Sequence, residues 1–252
     1  MLKSRLCIAF FAFAVGCAPA QKPLTDYVNP MLGTATLWDS VDLGFKPTKR
    51  TWGAEVFPGS SLPNAMVQVS PVTKFHSGAG YQYEDSVIYG FTHTNKGHWN
   101  LCHIPLLPVT GTPTPGDYCS PFSHERESAA PGYYQVFLER YGVDAQLSST
   151  LRCAFHKYTY PAGAAPAVLA DLQRSNEHVR AWDIRKEGDN VFAGWQQTGE
   201  KMYFYAVANR PVTGIEPVVE GDREVRIVRF GEGDGAPVSY THLRAHETKA
   251  NL

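Results

Sequence analysis

Strand-like runs, each closed within about ten residues by glycine, proline, asparagine or aspartate, repeat along almost the whole chain, and that spacing leaves few folds open. The runs are Met66–Val69, Gly80–Tyr83, Val87–Phe91, Ile104–Val109, Gly132–Leu138, Val143–Ser149, Leu151–Tyr160, Val168–Asp171, Val179–Ile184, Val191–Gln196, Lys201–Ala208 and Glu224–Phe230. Turn clusters such as Ser77-Gly78, Pro131-Gly132, Gly188-Asp189-Asn190 and Gly199-Glu200 separate them. Polar and apolar residues alternate in Tyr134–Arg140 and Lys201–Val207, the period of a strand with one buried face. Helical periodicity is nowhere sustained over three turns, and 22 glycines and 18 prolines punctuate the chain. The expected fold is therefore all-β, an antiparallel β-sandwich forming one domain over residues 21–237.

The two ends are of a different kind. Lys3 and Arg5 precede an apolar run, Leu6–Val15, and then small residues, the order of a secretory signal over residues 1–20. The run is about half the ~20 apolar residues of a membrane-spanning helix. Two exits compete. Ala18-Pro19-Ala20 fits a signal-peptidase site, whereas Ala14-Val15-Gly16-Cys17 resembles a lipobox without its usual leucine, which would lipidate Cys17 and attach the protein to a membrane. Either way an exported protein is expected, in the periplasm, as an outer-membrane lipoprotein or at the cell surface. At the other end, Gly231–Gly235 should turn Glu224–Phe230 into a partner strand, and none convincingly follows. Val238–Thr248 resembles a translated adapter sequence, so residues 238–252 are expected to be a non-native tail and the native chain to continue past Pro237.

A net charge of −1 gives no attraction to a polyanion, so nucleic acid is not an expected partner. Cys102, Cys119 and Cys153 form an odd set without metal-type spacing; one disulfide plus a thiol, or three thiols, are both open.

The stretch Ile88–Gly111 holds the residues best suited to a ligand. It brings His93, His98, His103, Trp99, Asn95, Asn100 and Lys96 between two strand-like runs. Trp99 offers a flat apolar plate, and the imidazoles and amides supply donors and acceptors around it. A sugar ring has the same two-sided character. The histidine spacing lacks the pattern of a zinc site, and His103, beside Ile104–Val109, is expected to hydrogen-bond loop backbone. Trp99 lies in a polar turn after Gly97 and is expected at the ligand, whereas Trp52, Trp182 and Trp195 are expected in the core. A second loop, Lys49–Gly59, would present Arg50, Glu55 and Phe57 at its rim, or merely a solvated Arg–Glu pair. A third, Phe75–Tyr81, is bracketed by Gly78 and Gly80 and could let backbone approach a ligand; no helix follows it, so it is not a phosphate loop. Acidic residues are scattered singly, and Glu125 and Glu127 read as a solvated edge.

Taken together, Asp26-Tyr-Val-Asn-Pro-Met-Leu-Gly-Thr34, Phe57-Pro-Gly59, Pro63-Asn-Ala-Met-Val-Gln-Val-Ser-Pro71, Ile88-Tyr-Gly-Phe-Thr-His-Thr94, Ile104-Pro-Leu-Leu-Pro-Val-Thr-Gly111, Phe122-Ser-His-Glu-Arg126 and Pro131-Gly-Tyr-Tyr134 resemble the N-terminal domain of glycoside hydrolase family 92. That family comprises exported, calcium-dependent, inverting exo-α-mannosidases. The resemblance implies a β-sandwich that packs on a C-terminal (α/α)6 helical domain absent from this chain. It implies that the general acid, the base and the main calcium ligands lie on that second domain. It also implies that this chain supplies part of the pocket for a mannose-containing glycan, through the loop His98-Trp99-Asn100 and the neighbouring glycine loop Gly78–Tyr81, and lacks turnover by itself; His93 and Arg50 are added as substrate-binding candidates from their own loops. Arg50–Glu55 and Asn95–Asn100 depart from the family's usual loops, which leaves the linkage specificity open. The rival reading is a stand-alone carbohydrate-binding sandwich.

Overall fold

In a computed structural model, residues 22–36, 56–96, 99–231 and 238–245 are described, and they form two facing antiparallel sheets. From edge to edge the seven-stranded sheet runs Ser60–Ser61, Gln68–Val72, Gly90–Thr92, Leu106–Val109, Ala167–Ala170, Arg223–Phe230 and Val212–Glu220. The eight-stranded sheet runs Ala181–Gly188, Val191–Gln197, Lys201–Ala208, Val238–Ala245, Cys153–Thr159, Val143–Ser149, Tyr133–Leu138 and Glu127–Ala130. This is the β-sandwich expected from the punctuated sequence. The expected signal, Cys17, Arg50, Trp52 and His98 lie outside the described residues.

Alternation places the core. Tyr134, Val136 and Leu138 point inward from one strand, and Met202, Phe204, Ala206 and Ala208 from another. Leu106–Val109 and Ala167–Ala170 are buried throughout, so they read as continuous apolar runs rather than alternating ones. Between the sheets Phe91 stacks on Tyr158 with centroids 6.3 Å apart, and Phe192 meets Phe230 edge-on at 6.3 Å. Each such pair adds about 0.5 to 1.5 kcal/mol beyond the area it buries.

Four segments depart from the sequence reading. Gly80–Tyr83 is loop, because Gly80 takes a φ of +77° and turns Tyr81 into the core. Val212–Glu220 is a strand despite Gly214 and Pro217; it lies at a sheet edge, where a missing N–H leaves no ladder bond unmade. Glu127–Ala130 is an edge strand too, yet the Glu127 side chain is only 2% exposed, so it is not the solvated edge its charge suggests. A strand does follow Glu224–Phe230: the backbone of Val238–Ala245 enters the eight-stranded sheet and pairs with both Cys153–Thr159 and Lys201–Ala208. Of the tryptophans expected inside, Trp182 packs against the core, whereas Trp195 is half-buried under the Lys201 ammonium, 3.6 Å from the ring centre. Cys102, Cys119 and Cys153 form no disulfide with one another.

One polar chain crosses the interior. His93 Nδ1 lies 2.8 Å from the Ile104 carbonyl, which only accepts, so that nitrogen carries the proton. His93 Nε2 then accepts from His156 Nε2–H at 2.9 Å, and His156 Nδ1 accepts from the Tyr158 hydroxyl at 2.8 Å. Burial disfavours both imidazolium forms, lowering the His93 pKa to about 4 and that of His156 well below its ordinary value. The unfolded chain therefore binds more protons below the ordinary histidine pKa of about 6.5, and stability falls as pH drops from there towards 4. For His93 this amounts to roughly 3 kcal/mol. Denaturant midpoints measured at pH 7 and pH 4.5 should differ accordingly; equal midpoints would contradict a neutral buried pair.

Candidate functional site

At one end of the sandwich three loops converge. The strands Gly90–Thr92 and Leu106–Val109 continue outward as an arm, closed at its base by His93 N–H to His103 O at 3.1 Å and at its tip by the pairs Asn95–Asn100 and Lys96–Trp99. The second loop is Phe75–Tyr81, and the third follows strand Ala167–Ala170 from Asp171 to Arg180.

The backbone here is under constraint. His76, Cys102 and Ile104 take φ values of +61°, +53° and +55°, a region that L-residues seldom occupy and a β-branched residue least of all. Ile104 is held there because its N–H donates to the Gln196 Oε1 at 2.8 Å, while Gln196 Nε2 donates to the Leu172 and Arg174 carbonyls. Such conformations persist only where surrounding bonds over-determine them, and they gather at ligand sites.

Asn100 joins the arm to the glycine loop. Its N–H donates to Gly78 O at 2.8 Å, its Nδ2 to Ala79 O at 3.0 Å, and its Oδ1 accepts from Cys102 N–H at 2.8 Å. Gly80 must lack a side chain, since a Cβ there would lie 2.6 Å from Asn100 Nδ2. The expected neighbourhood of the Trp99 turn and the Gly78 loop is thus present. Trp99 itself is 37% exposed on this arm.

Tyr81, His93 and Asn100, expected at the ligand, stand behind the loop surface rather than on it. Tyr81 is fully buried, with its hydroxyl on Glu127; His93 has both ring nitrogens engaged; Asn100 has its amide engaged between loops. His103 bonds side chains rather than the expected backbone: Thr94 donates to Nδ1 at 2.9 Å, and Nε2–H donates to Thr198 Oγ1 at 3.0 Å. The Thr198 hydroxyl in turn donates to Glu177 Oε2 at 2.6 Å. Burial lowers the His103 pKa, and the nearby Glu177 carboxylate opposes that effect.

Beside the glycine loop opens a depression of about 610 Å3, lined by His76, Arg174, Glu177, His178, Arg180 and Trp182 among others. Among the described residues Glu177 is the one carboxylate on its wall, 43% exposed and oriented by Thr198. Beneath lies Asp171, fully buried, accepting from Tyr118 and Arg223 at 2.7 Å each; burial raises its pKa despite these partners. Glu177, Asn176 and Asp171 carried no signal in the sequence beyond being isolated polar residues after an apolar run.

Among the described residues no group of three or more His, Cys, Asp or Glu side chains converges as a metal ion requires.

The profile of the glycosyl hydrolase family 92 N-terminal domain matches residues 27–248, and the chain belongs to that family. No curated protein sequence matches it. Among solved structures it is similar to the family GH92 α-mannosidase BT3965 from Bacteroides thetaiotaomicron, with a TM-score of 0.75 and 24% identity over 90% of this chain and 34% of that one. The same mannosidase has been solved in complex with mannoimidazole, again with a TM-score of 0.75 and 24% identity, over 90% of this chain and 33% of that one. The inverting mannosidase BT2199 from Bacteroides thetaiotaomicron VPI-5482 gives a TM-score of 0.69 and 22% identity over 89% of this chain and 32% of that one. The chain thus spans about a third of the length of these solved relatives.

Proposed function

We propose that this chain is the substrate-pocket domain of an exported, inverting α-mannosidase that removes terminal α-mannose from glycans, and that Trp99 forms the apolar plate of the sugar site. The observation that carries this reading is the half-exposed Trp99 ring, fixed on an arm that Asn100 bonds to the glycine loop. An aromatic face flanked by oriented polar groups suits a pyranose, which has apolar C–H faces and a rim of hydroxyls. The depression beside the glycine loop, with Glu177, His178, Arg180 and Trp182, would take the remainder of the glycan. One partner is the mannose-containing glycan; the other is a C-terminal helical domain. Calcium would be held mainly by that second domain. Arg50 and His98 would complete the rim of the pocket. The leader at residues 1–20 would export the protein, and acylation of Cys17 would attach it to a membrane.

Turnover is not expected of this chain by itself. One-step inversion needs a general acid and a base on opposite sides of the scissile bond, with carboxyl groups roughly 6.5 to 9.5 Å apart. Among the described residues the depression presents Glu177 as its one carboxylate. The expressed 252-residue chain should release no phenol from aryl α-mannosides; hydrolysis abolished by Glu177→Gln would show that it holds its own catalytic carboxylate.

A stand-alone sugar-binding module is the second reading, favoured by one feature. Tyr203 and Tyr205 are 40% and 48% exposed on the outer face of the eight-stranded sheet, with Trp195 directly opposite Tyr203. Such an aromatic stripe could hold a glycan on a flat surface.

A further inference from the structure

The Asn176 side chain lies where the three loops meet. Its Nδ2 donates to Ser77 O at 3.0 Å and to Asn100 O at 2.5 Å, and its Oδ1 accepts from His76 N–H at 2.6 Å. Its own N–H donates to Leu101 O at 3.0 Å. One residue thus bonds the glycine loop at two consecutive residues, His76 and Ser77, and the Trp99 arm at two more, Asn100 and Leu101, from a third loop that continues into the depression as Glu177 and His178.

We infer that Asn176 is the positioning residue of this site, setting the separation between the Trp99 plate and the glycine loop. This rests on the reading that Trp99 meets the sugar. The chemistry of the position selects the amide. Two carbonyls converge on Nδ2 and one N–H on Oδ1, so the side chain must present two donors and an acceptor in one short planar fork. A carboxylate of the same shape would direct an acceptor at two carbonyl oxygens, and a glutamine would carry the fork one methylene too far. The bond from His76 N–H also fixes that residue in its left-handed conformation, φ +61°. Asn176 is buried beneath the loops and Trp99 lies at the arm's tip, so Asn176 acts on a ligand through the arm and not by touching it.

The test uses the whole 252-residue chain and methyl α-D-mannoside as the probe, followed by amide chemical shifts, for wild type, Trp99→Ala, Asn176→Asp and the double variant. Each single variant should weaken binding about tenfold, and the double variant no further, because both changes remove the same plate. Hydrogen exchange at the Asn100 amide, which is bonded to Gly78 O, should quicken in Asn176→Asp and not in Trp99→Ala. Loss in Trp99→Ala with full affinity in Asn176→Asp overturns the positioning role and leaves the sugar-wall reading intact. Additive losses overturn it too, since Asn176 would then act independently of Trp99. If wild type takes up no mannoside, the sugar-wall reading fails and exchange alone decides the clasp: quicker exchange supports it, and unchanged exchange overturns it. Should the aspartate variant not fold, Asn176→Ala, which adds no charge, carries the same comparison.

Discussion

Glu127→Ala is expected to destabilise the domain by about 3 to 5 kcal/mol, which for a domain of this size lowers Tm by roughly 10 °C. The carboxylate is sealed at the edge of the eight-stranded sheet and is the common acceptor of three donors. Tyr81 donates to both oxygens at 2.9 and 3.0 Å, Tyr134 to Oε1 at 2.5 Å, and His124 Nδ1 lies 2.5 Å from Oε2. The His124 ring is itself fixed, stacked on Tyr83 with centroids 3.9 Å apart and bonded through Nε2 to the Tyr83 carbonyl at 2.7 Å. Removing the carboxylate leaves two buried hydroxyls and an imidazole without a partner, and a buried donor left unmade carries its whole desolvation penalty. Glu127→Gln keeps the volume and one acceptor oxygen and should fall between the two. Thermal unfolding of the three proteins checks this. A Tm for Glu127→Ala within about 2 °C of wild type would mean that water replaces the carboxylate without loss.

Trp99→Ala should have the opposite profile, a large effect on ligand and a small one on the fold. Removing a stacking plate from a sugar site is expected to weaken mannoside binding by about 1 to 3 kcal/mol, or roughly 5- to 150-fold. The arm does not depend on the indole. Its backbone pairs at Asn95–Asn100 and Lys96–Trp99 and its bonds to Gly78 and Ala79 all survive the substitution. Stability should therefore change by less than about 1 kcal/mol. Titration of both proteins with methyl α-D-mannoside, alongside their unfolding curves, separates the two effects. Unchanged affinity would return Trp99 to a structural role, and a large loss of stability would show that the ring is part of the packing.

The architecture was legible because strand period and turn chemistry are local. Val143–Ser149 and Lys201–Ala208 alternate cleanly, and the structure gives them those same limits. What escaped were residues whose role depends on distant partners. Glu127 reads as one more charge on an edge until Tyr81, 46 residues away, folds over it. Val212–Glu220 looks broken by Gly214 and Pro217, and only its place at the sheet edge makes them harmless. The candidate site follows the same rule. Trp99 and the Gly78 loop stand out by type, a ring in a polar turn and glycines in series, and the structure joins their loops through Asn100. Asn176 was not, because an asparagine after a strand is ordinary until its side chain is seen bonding residues 76 and 99 positions away. His93 and Tyr81 misled for the converse reason, since polar atoms on a loop-like segment look available until the partners that occupy them come into view.

Mapping the amide shifts of the chain on addition of methyl α-D-mannoside puts the claim about Trp99 to the plainest test. The perturbed residues should be Gly78, Ala79, Trp99 and Asn100, together with the Trp99 indole N–H. Perturbations confined to Trp195, Tyr203 and Tyr205 on the outer sheet face, or none on the arm, would contradict it.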